Sequence, residues 1–590
     1  MKKPTIIQIA TVALLAGILL CLIILVIKLD SNSSGNGKNS NNENEIGQRD
    51  SQGQMQGGMG GNDQSPVTVT STKNEDGTYD LNLNNAKWNY DETNDIYYQI
   101  GLAYCAKPET TDYETLGIYI PGAYFIGTKN QDGTYTCTIN FNGKIGKYSP
   151  TTAPVVMPVN TPGYSAQHAP SSYSPNDILD YTKSGFIYVY AGCRGRYDSE
   201  TEYNSGAPWG VTDLKAAIKF LRYNAMVIPA NLDKIFSFGM SGGGAQSAIL
   251  GASGDSELYK DYLTSIGAAT TDKNGSTISD KVYGSMCWCP ITNLDTADAA
   301  YEWNMGQYMT TDTRAAGTFT KELSNDLAKI YAEYINKLGL KDSYGNALSL
   351  ETTDTGIFTS GTYYDCVKSV IEDSLNNYME DNNLGEEFLN TLNKDDDVWV
   401  TYVQNTKKAK ITSIEAFVKY QKNATKSVGA FDDLNKSQAE NKLFGNKNST
   451  SLHFDEIMSN LLAYNSEKYS ALSNWEGSYI QSYSEDLNNT DALGKKVSDR
   501  VNMYNPMYFL CSKLGGYGTT NVAKCWRINS GIAQGDTANT TEINLALALQ
   551  NNPKVMSVDF TTVWGQGHTM AERTGDSTTN FINWINECLQ

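Results

Sequence analysis

The chain has 590 residues, 40% of them hydrophobic, ten cysteines and a formal net charge of −19 at pH 7. So acidic a chain repels phosphate backbones, which argues against nucleic acid as a partner, and the cysteines are too sparse for a small disulfide-stapled domain. The length exceeds one usual hydrophobic core, which indicates either one domain enlarged by an insertion or two closely packed domains.

The N-terminus carries an apolar segment that predicts a membrane anchor. Lys2 and Lys3 precede residues 6–27, a stretch of 22 residues that would span about 33 Å as a helix. A secretory signal has a shorter apolar core and a small-residue cleavage site, and no such site precedes Lys28. We therefore expect residues 1–30 to form an uncleaved single-pass signal anchor in the cell membrane, with the lysines in the cytoplasm and the rest of the chain outside the cell. Secretion after signal cleavage is the alternative.

The next segment, residues 31–76, is expected to be a disordered polar linker. Residues 31–66 are rich in Ser, Asn, Gly and Gln and nearly free of large apolar side chains. Such a composition cannot bury enough apolar surface to offset the entropy lost on ordering. The segment therefore predicts a flexible tether.

The body begins with strand-like stretches and then alternates strands with helices. Residues 79–83, 96–100 and 116–120 are separated by Gly-containing turns and predict an antiparallel opening of a sheet. From residues 186–190 onward, strands alternate with helices, including one that places Val211, Leu214 and Leu221 on one face. This alternation predicts an α/β fold with a doubly wound, mostly parallel sheet.

A nucleophile elbow is predicted at Gly239-Met240-Ser241-Gly242-Gly243. The pentapeptide follows the apolar run 235–238 and precedes the helix-compatible residues 245–250. Its glycines let the backbone reverse sharply, so that the serine Oγ stands clear of the sheet at the N-terminus of a helix. Ser241 is therefore the candidate nucleophile, with a flexible glycine-rich turn as the alternative interpretation of the pentapeptide alone.

An inserted lid domain is predicted for residues 304–500. Helical segments predominate there, for example residues 323–338, which carry apolar side chains at helical spacing and end at Gly339. Residues 77–303 and 501–590 would then form an α/β-hydrolase catalytic domain. Lids of this kind shape the substrate pocket and exclude water.

A serine nucleophile needs a histidine base, and the chain has three histidines. His168 lies in a polar loop and His453 begins an amphipathic segment, so both are expected to be ordinary surface or capping residues. His568 lies in a Gly-rich loop directly after the strand-like residues 556–563. That position can present an imidazole at a strand end, which makes His568 the candidate base.

The acid of a hydrolase triad is expected between serine and histidine in the chain. Asp536 is the one carboxylate between Cys525 and Thr541 and lies in a turn after the strand-like residues 526–529, so it is the candidate. An Asx-turn or a helix cap is its alternative role. Glu542, in the opening turn of a predicted helix, and Asp559, inside a predicted strand, are weaker alternatives.

The oxyanion hole needs two backbone N–H groups aimed at the developing negative charge. Gly242, the residue after the nucleophile, supplies the first candidate. The second is expected from the loop that follows residues 153–159, with Gly163 or Tyr164 as the donor.

No cofactor or metal is expected. Cys287 and Cys289 fall in a predicted strand with one intervening residue, which is a poor arrangement for a metal site. The sequence contains neither a histidine cluster nor a phosphate-binding glycine loop.

Six segments together resemble the bacterial tannases, within the tannase and feruloyl esterase group of α/β-hydrolases. The resemblance covers roughly residues 90–305 and 500–590. The segments are A-P-V-V-M-P-V-N-T-P-G-Y at 153–164, W-G-V-T-D-L-K-A-A-I-K-F-L-R-Y-N at 209–224, G-M-S-G-G-G at 239–244, C-P-I-T-N-L-D-T-A-D-A-A-Y-E-W at 289–303, W-R-I-N-S-G at 526–531 and N-L-A-L-A-L-Q at 544–550.

The resemblance implies an esterase that releases aromatic acids such as gallate from plant polyphenol esters, with Ser241 as nucleophile and His568 as base. The family's acid loop, Gly-Thr-x-Asp-x-Asp, carries the triad acid first and an Asp near the phenolic hydroxyls of the substrate second. This chain has Gln534 at the first acidic position and Asp536 at the second. Asp536 is therefore expected to serve as a displaced triad acid.

The sequence thus predicts an extracellular serine carboxylesterase of the tannase type that acts on galloyl-type esters through Ser241, His568 and Asp536. A general acyl, carbohydrate or feruloyl-type carboxylesterase on the same scaffold is one alternative. A non-catalytic, membrane-tethered surface binding protein is another. The expected partners are a small-molecule or polyphenol ester and, through the N-terminal helix, the membrane, whereas the oligomeric state stays open.

Overall fold

A mixed β-sheet organises the part of the chain that the computed structural model describes, residues 66–394 and 397–590. The anchor and most of the linker predicted above lie outside the described residues. Among the helices inside them, none combines the length and apolar character that a membrane crossing needs. The described strands are β1 (Asn89–Asp91), β2 (Ile96–Ala103), β3 (Thr115–Pro121), β4 (Phe125–Lys129), β5 (Tyr135–Ile139), β6 (Val155–Val159), β7 (Ile187–Ala191), β8 (Ile235–Met240), β9 (Gly284–Trp288), β10 (Val400–Val403), β11 (Lys408–Ile411), β12 (Cys525–Gly531) and β13 (Ser557–Val563).

Nine of these strands form the central sheet, in the order β1-β2-β3-β7-β6-β8-β9-β12-β13. The pairs from β1 to β7 are antiparallel, and every pair from β7 to β13 is parallel. Strands β4 and β5, and likewise β10 and β11, form separate antiparallel hairpins. The predicted fold class, an α/β-hydrolase fold with a doubly wound and mostly parallel sheet, is confirmed.

Helices connect the parallel strands and fill the insertion. They are α1 (Leu179–Lys183), α2 (Trp209–Tyr223), α3 (Gly242–Ala252), α4 (Lys260–Ser265), α5 (Ala297–Asn304), α6 (Phe319–Leu338), α7 (Thr362–Asp381), α8 (Glu386–Leu392), α9 (Ile414–Gln421), α10 (Ala439–Leu443), α11 (Glu456–Tyr464), α12 (Ser466–Ser470), α13 (Ser478–Leu487), α14 (Val497–Met503), α15 (Pro506–Leu510), α16 (Asn539–Gln550) and α17 (Ser577–Cys588). Short 3₁₀ turns lie at Gly122–Tyr124, Pro162–Tyr164, Glu257–Tyr259, Gly306–Tyr308 and Asp312–Arg314.

The central strands are apolar because the sheet is covered on both faces. All residues of β6, β7 and β9 are buried, as is β8 up to its last residue. Strands of this kind read as continuous apolar runs and lack the alternation of a half-exposed strand. Since β6, β8, β9, β12 and β13 run in the same direction, the loops that follow them meet at one edge of the sheet.

The insertion lies between α5 and α14 and contains α6 to α13 together with the hairpin β10–β11. One of its two 20-residue helices, α6, begins at Thr318, whose hydroxyl accepts the N–H of Lys321, and ends at Gly339 in the left-handed region. The end at Gly339, a favoured C-terminal residue, was predicted from the sequence, whereas the start at Thr318 was not, although Thr is a favoured N-cap.

One predicted strand does not form. Residues 79–83 make a single bridge, between Tyr79 and Lys73, and continue as irregular chain. Side chains there take the backbone groups that a strand would use: Asp80 accepts the N–H of Asn82 at 3.0 Å, and Asn224 accepts the N–H of Leu83 at 2.9 Å. Such local bonds compete with a sheet ladder.

Candidate active site

Ser241 lies in a strained turn between β8 and α3. Its φ of 59° and ψ of −123° are uncommon for a residue with a side chain, and its N–H donates to the carbonyl of Trp288 at 3.0 Å. The neighbouring glycines are required by space: a Cβ on Gly243 would lie 2.0 Å from the Val159 carbonyl oxygen, and one on Gly242 would lie 2.5 Å from that of Thr161. The predicted elbow is therefore present as a strand, a tight turn and a helix.

The turn at Pro162–Tyr164 packs against this elbow and holds the predicted second oxyanion donor. Gly163 and Tyr164 both have positive φ, 53° and 61°. The N–H of Tyr164 donates to Thr161 at 2.9 Å and is therefore engaged inside the turn, which leaves Gly163 as the better candidate. Arg196 braces the turn, because its Nη1 donates to the Gly163 carbonyl at 2.5 Å and its backbone N–H donates to the Tyr164 carbonyl at 2.7 Å.

Cys289 joins the serine turn to the histidine loop. It follows Trp288, whose carbonyl accepts the Ser241 N–H, and its thiol lies 3.1 Å from the carbonyl of Thr569. The same sulfur accepts the N–H of Gly531, at the end of β12, at 3.4 Å. The strand ends that carry the predicted nucleophile, acid loop and base are therefore linked through two consecutive buried residues, Trp288 and Cys289.

The histidine loop and the acid loop are also bonded to each other directly. The N–H of Ala533 donates to the carbonyl of Gln566 at 3.1 Å. Gly531 approaches the histidine loop so closely that a Cβ there would lie 1.9 Å from the Gly567 carbonyl oxygen. The position of His568 relative to the acid loop is thus fixed by backbone contacts on both sides.

Gln534 makes the hydrogen bond to His568 that the sequence assigned to Asp536. The Nδ1 atom of His568 lies 2.8 Å from Oε1 of Gln534 and 3.8 Å from the nearer carboxylate oxygen of Asp536. Gln534 is buried, whereas the Asp536 side chain is 49% exposed. Asp536 is therefore near enough to act on the imidazole by its charge, at a distance too long for a hydrogen bond.

Gln534 is in turn hydrogen-bonded to a buried carboxylate and a buried ammonium group. Its Nε2 donates to Oε1 of Glu542 at 2.6 Å, and the Lys422 ammonium donates to its backbone carbonyl. Burial raises the pKa of Glu542 and lowers the pKa of Lys422, while the opposite charges of the two residues act against both shifts. The other weaker alternative for the acid, Asp559, pairs instead with Arg527 at 2.9 Å.

The environment of His568 favours the neutral form of its imidazole. Burial lowers the pKa of its imidazole below the usual value, the Asp536 carboxylate acts in the opposite direction, and the ammonium groups of Lys426 and Lys422 lower it further. A neutral imidazole has one ring nitrogen without hydrogen, which can accept a proton as a general base must.

The insertion contributes groups to the site that the sequence analysis missed. Lys422, Lys426 and Glu440 all come from it, and Glu440 is buried with its pKa raised by burial. The Lys426 and Arg196 charges oppose that rise, and the Asp536 carboxylate adds to it. Lys426, Glu440, Arg196 and Asp536 therefore form an acid–base cluster, two members of which, Lys426 and Asp536, also act by their charges on His568. No local motif marks the members that come from the insertion.

The other two histidines lie apart from these loops. His168 is part-buried, with Nε2 at 3.1 Å from the Tyr113 hydroxyl. The expectation of a surface or capping role is wrong for His453, which is fully buried, bonds through Nδ1 to Asp432 at 2.7 Å and stacks on Tyr483 at 3.6 Å. Within residues 66–394 and 397–590, no group of three or more His, Cys, Asp or Glu side chains is arranged to hold a metal ion.

The fold is shared with solved tannases. The structure is similar to a tannase from Fusobacterium nucleatum, with a TM-score of 0.65 and 26% identity over 87% of this chain and 100% of that one. It is also similar to a tannin acyl hydrolase from Lactobacillus plantarum, with a TM-score of 0.63 and 25% identity over 84% and 94% of the two chains. A tannin acyl hydrolase in complex with ethyl gallate matches with a TM-score of 0.60 and 25% identity over the same shares. No family model matches the sequence, and no curated protein matches it significantly.

Proposed function

We propose that this chain, a tannase-like α/β-hydrolase, is a serine esterase that cleaves galloyl-type esters through an acyl-enzyme. The observation that carries the proposal is the strained Ser241 turn joined by Cys289 to the loop of His568. The likeness to tannases over most of the chain, one of them holding ethyl gallate, supports the substrate class.

The first step is attack of Ser241 on the ester carbonyl. The Nε2 atom of His568 takes the hydroxyl proton while Nδ1–H is held by Gln534, and the Asp536 charge helps to stabilise the imidazolium that forms. The backbone N–H groups of Gly242 and Gly163 receive the developing oxyanion, each contributing a factor of about a hundred or more in rate.

The acyl-enzyme forms as the alcohol leaves with the proton from His568. Water then attacks the acyl carbonyl, and His568 accepts one of its protons. The collapse of the second tetrahedral intermediate returns the proton to Ser241 and releases the carboxylic acid. No metal or cofactor takes part in this proposal.

The acid–base cluster is suited to a ring with several hydroxyl groups. Carboxylates only accept hydrogen bonds and an ammonium only donates, so Asp536, Glu440 and Lys426 together can bind hydroxyls that do both. Since Gln534 occupies Nδ1 of His568, Asp536 is free to bind substrate. We therefore assign Asp536 the second position of the family's acid loop, together with a supporting charge for His568.

The experiment is active-site labelling of the full chain, solubilised in detergent, with a fluorophosphonate probe, followed by hydrolysis of methyl gallate, methyl ferulate and a short acyl ester. We expect labelling at Ser241 and release of gallate, and Ser241→Ala should lose both with its unfolding temperature unchanged. Labelling with short-acyl turnover alone would replace the galloyl assignment by a general acyl esterase. Folded protein that is neither labelled nor active would favour a binding protein.

We also propose that this hydrolysis takes place outside the cell, next to a membrane. The support is the sequence alone, namely two lysines followed by the apolar residues 6–27 and a polar linker. The full chain should sediment with membranes and resist carbonate extraction, whereas a chain without residues 1–30 should not. Full-length protein that stays in the carbonate supernatant would remove the anchor from the proposal.

A further inference from the structure

A glutamine next to a catalytic histidine leaves the direction of the hydrogen bond open. Its side chain presents an acceptor oxygen on one side and a donor NH₂ on the other. An aspartate in that place can only accept, so it holds the imidazole with hydrogen on Nδ1 and the free nitrogen toward the serine. In this chain, something else must decide which end of the Gln534 amide faces His568.

The orientation of the Gln534 amide follows from its contact with Glu542. Its carboxylate lies 2.6 Å from the Gln534 nitrogen and accepts, so the amide NH₂ points at Glu542 and the amide oxygen points at His568. The oxygen lies 2.8 Å from Nδ1 and in turn requires hydrogen on that nitrogen. In this hydrogen-bonded row of Glu542, Gln534 and His568, each group therefore determines the orientation of the next.

We propose that Glu542 is a positioning residue for His568, acting through the Gln534 amide. The inference rests on the function proposed above, because it gives His568 the role of base. The row His568, Gln534, Glu542 would then do the work of a single aspartate: it fixes the tautomer of the imidazole and places a negative charge on its Nδ1 side. The acid of the triad is present in this chain, one amide further from the histidine.

The surroundings preserve the row. Gln534 and Glu542 are each 1% exposed, so water does not compete for their hydrogen bond. Burial raises the pKa of Glu542, and Lys422, also 1% exposed, opposes that rise by its charge and donates to the Gln534 carbonyl. Glu542 itself lies in the first turn of α16, where a helix N-terminus stabilises a carboxylate.

A charge-conserving swap tests the proposal. Glu542→Gln keeps the shape of the side chain but allows the Gln534 amide to adopt either orientation. We expect kcat on methyl gallate to fall about tenfold with KM unchanged, as for a hydrogen bond that loses a charged partner. Gln534→Glu/Glu542→Gln puts the carboxylate directly on Nδ1, and kcat should return to within about threefold of the wild type. The single variant Gln534→Glu completes the cycle, and its pairing of two buried carboxylates should make Glu542→Gln beneficial in that background.

The tautomer of His568 gives a readout that does not need activity. The chain has three histidines, so ¹⁵N imidazole resonances are few and can be assigned by single His→Asn variants. We expect hydrogen on Nδ1 in the wild type, a mixture of tautomers in Glu542→Gln and hydrogen on Nδ1 again in the swap. Glu114→Gln, which removes a buried carboxylate paired with Arg194 at 3.4 Å, should lower the unfolding temperature without moving the His568 signals.

The outcomes separate this proposal from the proposed function. A wild type that hydrolyses no ester but shows the expected tautomers would reject the esterase and keep the positioning role. An active wild type whose kcat and imidazole signals are unchanged in Glu542→Gln would overturn the inference. So would a swap variant that is folded but as slow as Glu542→Gln.

Discussion

Replacing Asp536 by Asn should shift the pH dependence of turnover without abolishing it. The carboxylate lies 3.8 Å from Nδ1 of His568 and raises the pKa of that imidazole. Two unit charges at this distance interact by about 1 kcal/mol in water, the appropriate limit because the Asp536 side chain is half exposed. This energy corresponds to about 0.8 in the pKa of His568 and about a sixfold change in rate.

The sign follows from the charge. In the Asp536→Asn variant, the neutral amide no longer favours the imidazolium, so the pKa of His568 falls and the acid limb of kcat/KM moves to lower pH, by up to about 0.8. On the neutral plateau, kcat should fall by up to about sixfold because the imidazolium formed during attack loses a favourable charge. KM should rise for methyl gallate and stay constant for methyl benzoate, which lacks hydroxyls to bind.

The assay is a pH–rate profile of wild type and Asp536→Asn on both esters, with unfolding temperatures measured in parallel. A loss of about a thousandfold or more in kcat on both esters, with the acid limb of the pH–rate profile at its wild-type pH, would refute the reasoning. Such a loss would mean that Asp536 holds Nδ1 in the working enzyme and that the hydrogen bond to Gln534 is exchanged when substrate binds.

Three further substitutions have expected outcomes. Gln534→Ala removes the partner of Nδ1 and should lower kcat on the order of a hundredfold in the plateau region, more than Asp536→Asn does; equal loss in both would contradict the geometry. Lys426→Met removes a positive charge that lowers the pKa of His568, so the acid limb should move to higher pH, as a pH–rate profile would reveal. Gly242→Ala places a Cβ 2.5 Å from the Thr161 carbonyl oxygen, which should cost about 1–3 kcal/mol in calorimetry and abolish fluorophosphonate labelling.

Local patterns in the sequence identified the candidate nucleophile and the candidate base because both candidates depend on short-range structure. The elbow at Ser241 needs a strand, glycines and a helix within a short stretch of chain, and all three are readable. His568 follows a strand directly and lies in a Gly-rich loop. The same holds for the end of helix α6 at Gly339, which is also a local signal.

The partner of His568 could not be chosen from the sequence, because the choice depends on how one loop packs on another. Gln534 and Asp536 are two residues apart, and their difference in burial arises from contacts of Ala533 with the histidine loop and of Lys422 with the Gln534 carbonyl. The chemical expectation that a triad needs an acid favoured Asp536. Glu542, which has the missing charge, ranked as a weaker alternative because it lies in the opening turn of a predicted helix, and no sequence pattern reveals that an amide links it to His568.

The residues that the insertion contributes could not be predicted from the sequence for a related reason. Lys422, Lys426 and Glu440 lie far along the chain from both the serine turn and the histidine loop, and their roles follow from tertiary packing alone. Tyr301 shows how that packing is made: its hydroxyl donates to the Gly535 carbonyl at 3.0 Å and accepts the N–H of Thr425 at 2.9 Å. Hydrophobic periodicity predicts that a helix forms, but it does not predict which loop that helix places at the candidate site.

The contacts of residues 422–425 with the acid loop constrain how an enzyme of this architecture can diversify. Lys422 and Thr425 bind the acid loop, while Lys426, the next residue, acts on His568 and Glu440. Exchanging the whole insertion between relatives would therefore disturb turnover along with selectivity. Substrate range should evolve by point changes around an inherited loop, and recombinant chimeras should keep that loop together with the acid loop of the same parent.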